Sequence, residues 1–76
     1  MKIGIVCAGD EELEPFLQII ENCKITEKAM LKFYEGTING IEVVALFSGV
    51  CKVNAAIATQ ILIDNFKVNI IINSGV

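Results

Sequence analysis

The chain of 76 residues contains no histidine and no tryptophan, a single proline, and three cysteines, Cys7, Cys23 and Cys51, with no C-x-x-C spacing among them. Without histidine there is no Cys/His metal set and no Cys-His nucleophile pair, so the thiols read as reduced structural groups and no metal is expected. The same absence removes the commonest general base and leaves acid-base chemistry to carboxylates. Basic residues are scarce as well. Six Lys and Arg against nine Asp and Glu give a net charge of -3, with no basic stripe and no interleaved aromatics, which argues against a nucleic-acid partner. No apolar run approaches the roughly 18 residues of a membrane span, and Met1-Lys2 leads directly into strand-like sequence instead of a signal peptide. A cytoplasmic protein with no membrane partner is the expectation.

What is abundant is apolar material: 54% of the residues are hydrophobic and the mean hydropathy is +0.64. A chain of this size buries only about 60% of its unfolded surface. The surplus implies either an apolar surface that faces a partner or a chain that is a portion of a larger fold.

Hydrophobic periodicity divides the sequence into alternating elements. "KIGIVCA", residues 2 to 8, is a near-continuous apolar run suited to a strand buried on both faces. After Gly9-Asp10 the period changes. Leu13, Phe16, Leu17 and Ile20 fall at i, i+3, i+4 and i+7 of an amphipathic helix, with Asp10, Glu11 and Glu12 at its electropositive start. Residues 22 to 30 read as a connection or a weak edge strand. "LKFYEGTI" and "EVVALFS" are strands joined by Asn39-Gly40, the pair that most readily takes positive φ in a two-residue hairpin turn. Residues 52 to 66 form a second helix, apolar around most of its girth, which expects packing on more than one side. "VNIIIN" supplies a last buried strand. The expected architecture is α/β, in the order β-α-β-β-α-β, a mixed sheet with one antiparallel hairpin and no linker or repeat.

Three segments carry candidate chemistry. "AGDEELEP" places Asp10, Glu11, Glu12 and Glu14 just beyond the carboxyl end of the first strand, the edge where open α/β sheets bind ligands. Dipole complementation at a helix start explains the same charges, and a functional role requires one carboxylate to turn inward. "SGVCKVNAA" is a small-residue turn feeding a helix, suited to an anion or a sugar hydroxyl, yet it lacks the spacing of a phosphate-binding loop, and Lys52 there reads as a solvated lysine. "INSGV" marks the mouth of a parallel strand, where α/β proteins usually begin a binding loop.

Taken together, "MKIGIVCAGDEELEPF", "YEGTINGIEVVALFSGVCKVNAAIATQILIDNF" and "VNIIINSG" resemble the opening third of the 5′-methylthioadenosine/S-adenosylhomocysteine nucleosidases, in the purine nucleoside phosphorylase-like superfamily. The resemblance implies a single partial domain over residues 1–76 of a three-layer sandwich fold. The implied substrate is a small-molecule nucleoside, hydrolysed at its N-glycosidic bond through an oxocarbenium-like transition state, with no cofactor. By the resemblance, Glu12 is the carboxylate that positions and deprotonates water, and Gly9, Val50, Ser74 and Gly75 are substrate-binding positions. Purine recognition and leaving-group protonation fall to residues outside these 76, so the chain is expected to be inactive alone. The resemblance also implies homo-oligomers with the second helix near the subunit contact. The rival reading is a non-catalytic α/β module that homo-oligomerises through its apolar helix and sheet edge. The sequence departs from the family pattern at four places: Cys7 and Cys51 stand where glycines are usual, Gly9 where a methionine borders the thio group, and Val76 where a small residue opens a Gly-rich loop.

Overall fold

A computed structural model describes the backbone of residues 1–49 and 52–74 and the side chains of 1–49 and 55–74. The elements run β1 (Lys2–Cys7), α1 (Asp10–Ile19), β2 (Glu21–Lys28), β3 (Leu31–Ile38), β4 (Ile41–Phe47), α2 (Lys52–Asp64) and β5 (Ile70–Ser74). They form a five-stranded mixed sheet in the order β2-β3-β4-β1-β5. β1 lies parallel to β4 on one side and to β5 on the other, while β2-β3 and β3-β4 are antiparallel.

The α/β class and the mixed sheet agree with the reading from periodicity. The segment read as a connection or a weak edge strand is an edge strand, β2, and it adds a second antiparallel hairpin to the one expected. Its turn, Ala29-Met30, has φ of 53° and 65°. Both are left-handed values that ordinarily recruit Asn or Gly, so the sequence carries no turn signature there. The Asn39-Gly40 turn takes φ of 52° and 82°, as its residues predict.

Strand alternation sorts the apolar residues of the central strands into two cores. On one face Val6, Val44, Leu46 and Phe33 meet Ala58, Leu62 and Phe66 from α2 and the turn after it. On the other, Ile5, Cys7, Val43 and Ala45 meet Leu13 of α1 and Ile20 at its end. The chain moves from β1 leftward to β4 and from β4 rightward to β5, so right-handed connections put the two helices on opposite faces. In α2, Ile61 packs against its own sheet, whereas Ile57 and Ile63 are exposed. The stripe left for another surface is therefore narrower than the composition of that helix suggests.

A polar latch holds the start of β1. The Lys2 ammonium donates to Glu35 Oε2 at 2.7 Å and sits 5.8 Å from the centroid of Phe66, which stacks on Phe33 at 5.1 Å. The Lys2 backbone also exchanges hydrogen bonds with Asn69, N–H to Oδ1 at 2.9 Å and C=O from the Asn69 N–H at 2.8 Å. These contacts secure the amino end of β1.

Position 36 shows how tightly the outer hairpin is fitted. A methyl group added at Gly36 would stand 2.5 Å from the Glu21 carbonyl oxygen and collide with the Ile20 side chain. At Gly40 an added methyl meets nothing within 4 Å, and only the left-handed φ opposes it. Gly36→Ala is accordingly expected to destabilise the chain by roughly 3 kcal/mol and Gly40→Ala by about 1 kcal/mol in urea unfolding. The reverse order would contradict this packing.

Candidate functional site

The register of β1 brings three strand ends level: Cys7 pairs with Phe47 of β4 on one side and with Ser74 of β5 on the other. Beyond Cys7 the chain leaves for α1 on one face; beyond Phe47 it leaves for α2 on the opposite face. In open α/β folds the carboxyl edge of a parallel sheet, between two such departures, is the general location of ligand crevices. The Ser48 N–H donates to the Cys7 carbonyl at 2.9 Å. That bond ties the two departing loops together at the floor of the crevice.

Glu12 occupies this edge. Of the four carboxylates in "DEELE", Asp10, Glu11 and Glu14 are exposed and Glu12 alone is half-buried. Its side chain folds back over Gly9, so that a methyl group placed on Gly9 would lie 3.5 Å from Oε1 and 4.0 Å from Oε2. A signal for it exists in the sequence: Glu12 stands four residues before Phe16 and directly before Leu13, on the flank of the apolar stripe.

Gly9, the N-cap of α1, has φ -149° and ψ 173°, extended backbone that any residue adopts. Among described atoms only the Glu12 carboxylate lies within 4 Å of the added methyl group. Glycine here is thus not demanded by the fold; its effect is to leave space beside Glu12. Ser74 ends β5 level with Cys7 and is half-buried at the same edge. Val50 and Gly75 lie outside the described residues, as do Cys51 and Val76.

The segment that begins at Ser48 is singled out in sequence; the burial of its first residue and the space beside it are not. Ser48 is buried, with its hydroxyl donating to the Gly49 carbonyl at 3.2 Å. Beside it, a depression of about 510 Å³ is bounded by Asp10, Met30, Tyr34, Phe47, Ser48 and Gly49 among others. Glu12 does not line it, so this space is distinct from the surroundings of the carboxylate.

Cys7, expected to add bulk where the family packs backbone closely, is fully buried in the α1-side core. Burial, and secondarily the charge of Glu12, push its thiol above the ordinary value of 9.0. The neutral thiol is the form the fold favours, which makes Cys7 a poor nucleophile. Among the described residues no group of three or more Cys, Asp or Glu is placed to hold a metal ion, and no helix is long and apolar enough to cross a membrane.

A family model described as the phosphorylase superfamily matches residues 2–76. The 5′-methylthioadenosine/S-adenosylhomocysteine nucleosidase of Desulfotalea psychrophila is 43% identical over 76 residues, covering 100% of the chain and 32% of the relative. That of Halalkalibacterium halodurans is 50% identical over 74 residues, covering 97% of the chain and 32% of the relative. In three dimensions, the nucleosidase of the same kind from Colwellia psychrerythraea, solved in complex with adenine, superposes with a TM-score of 0.93 at 41% identity, over 96% of the chain and 30% of that structure. The chain therefore spans about a third of the length of the relatives it matches.

The raised Cys7 pKa has a defined sign. Its stabilising contribution is complete below 9.0 and is lost as pH rises beyond it, because the unfolded chain then ionises while the buried thiol does not. The unfolding free energy of the wild type is expected to fall more steeply above pH 9 than that of Cys7→Ala. At pH 8 iodoacetamide is expected to label exposed Cys23 at least about tenfold faster than Cys7, measured by peptide mass spectrometry.

Proposed function

The chain belongs to the phosphorylase superfamily, and from that membership we propose that it forms the water-activating edge of a nucleosidase acting on 5′-methylthioadenosine and S-adenosylhomocysteine. The observation that carries the reading is Glu12, the one carboxylate of its cluster that is half-buried and folded back over Gly9 at the carboxyl edge of β1. In hydrolysis of an N-glycosidic bond, water adds to C1′ as the bond to the purine breaks, and positive charge develops on the sugar. A carboxylate at this edge accepts a hydrogen bond from the attacking water, takes its proton as the C1′–O bond forms, and stabilises the oxocarbenium character through its charge. Gly9 and Ser74 flank that position, Gly9 leaving room for the substituent on the sugar and Ser74 offering a hydroxyl to it. Residues 1–76 act in this proposal as one partial domain in the cytoplasm, and the purine is recognised and protonated by residues outside them.

Association is a second reading, favoured by a specific observation: Ile57 and Ile63 on α2 and Ile70 and Ile72 on β5 all present apolar surface to solvent. Homo-oligomers through these surfaces are compatible with the nucleosidase reading, and without Glu12 chemistry they stand as the alternative to it.

Adenine release from methylthioadenosine tests the first reading. The 76-residue chain alone is expected to show no release above background. A chimera joining it to the remaining two thirds of the Desulfotalea relative is expected to release adenine, with kcat lowered about 10²- to 10⁴-fold by Glu12→Gln. Full activity in the Glu12→Gln chimera would remove Glu12 from the reaction.

A further inference from the structure

The turn between β3 and β4 carries a reactive pair. Asn39 and Gly40 are both exposed, with φ of 52° and 82°, and Ile38 opposite Ile41 closes the turn. In a turn of this kind the closing hydrogen bond joins the two flanking residues, so the nitrogen of Gly40 takes no part in it. Among described atoms nothing lies within 4 Å of a methyl group added at Gly40, and no packing hinders that nitrogen. Asn22, Asn54, Asn65, Asn69 and Asn73 are each followed by a residue with a β-carbon, which crowds the same nitrogen. Asn69 is also engaged, its Oδ1 accepting from the Lys2 N–H at 2.9 Å.

We propose that Asn39 is a site of spontaneous covalent modification, independent of the nucleosidase reading. The Gly40 nitrogen attacks the side-chain carbonyl carbon of Asn39 and loses its proton to solvent. The carboxamide nitrogen takes a proton from solvent and leaves as ammonia, which closes a five-membered imide. Water then opens that ring, and no oxidant or reductant is required. Opening at the side-chain carbonyl gives aspartate. Opening at the main-chain carbonyl gives isoaspartate, whose main chain runs through Cβ and Cγ and is one carbon longer. A two-residue turn has no slack for that carbon. The pairs beside it, Ile38 with Ile41 and Thr37 with Glu42, then lose their register. Glu42 also lies opposite Lys2 of β1, so the loosening reaches the end of β1 that Lys2 ties to Glu35 and Asn69. Phe47, level with Cys7, is at the far end of β4, and the carboxyl edge that holds Glu12 stays in place.

Ageing the 76-residue chain at mildly alkaline pH, followed by peptide mass spectrometry, tests this. Asn39 is expected to convert at least about tenfold faster than each of the other asparagines, with isoaspartate, identified by enzymatic methylation, as the larger product. Gly40→Ala should slow the conversion at least about tenfold, and so should Asn39→Gln, which would need a six-membered ring. The isoaspartate form, separated chromatographically, should unfold at lower urea than the unmodified chain. Asn39→Asp, with the same added charge and an ordinary main chain, should unfold close to the wild type. Conversion at Asn39 no faster than at Asn22 or Asn65 would overturn the proposal, since the turn would then protect its carboxamide. Undiminished conversion in Asn39→Gln would overturn the imide route, and an isoaspartate form as stable as the unmodified chain would overturn the loss of register. Should Gly40→Ala fail to fold, Asn39→Gln and the comparison among the wild-type asparagines decide.

Discussion

Parallel pairing of β1 on both sides is the constraint on which the rest of the molecule depends. A strand bonded to β4 and β5 at once has no open edge, and with α1 over one face and α2 over the other its residues must satisfy two cores: Ile5 and Cys7 go to one while Val6 goes to the other. The same pairing fixes three strand ends at one level and sends the following loops to opposite faces. The crevice beside Glu12 is a consequence of topology before it is a consequence of any particular side chain. The latch of Lys2 with Glu35 and Asn69 secures β1 from its other end.

Much of this was legible from periodicity and turn chemistry. The run "KIGIVCA", the i, i+3, i+4, i+7 stripe of α1 and the Asn39-Gly40 turn each have a local physical cause that survives into the fold. β2 was ambiguous because it is exposed along nearly its whole length. It therefore shows neither the alternation of a half-buried strand nor the run of a buried one. Its turn is held by tertiary pairing with β3 rather than by residues that prefer positive φ, with Met30 98% exposed at the tip. The candidate site was legible in part. Composition located a carboxylate cluster, and within it only the place of Glu12 on the flank of the apolar stripe is a sequence signal. The return of its side chain over Gly9 needs the folded helix start and is not written in the spacing.

The departures from the family pattern divide by their physical effect. Cys7 fits: the thiol fills core space next to Leu13 and adds no exposed reactive group. Gly9 changes the site, because extended backbone and open surroundings would accept a side chain there. The space beside Glu12 is consequently set by residue 9 rather than by the backbone.

The central claim is that the carboxyl edge of β1 presents Glu12 to the water that attacks the glycosidic carbon. A crystal structure of the chimera with a nucleoside transition-state analogue bound tests it most directly. The account predicts a water within about 2.6–3.2 Å of a Glu12 carboxylate oxygen, on the side of C1′ opposite the purine. A bound analogue with Glu12 turned to solvent and no water between the carboxylate and C1′ would contradict it.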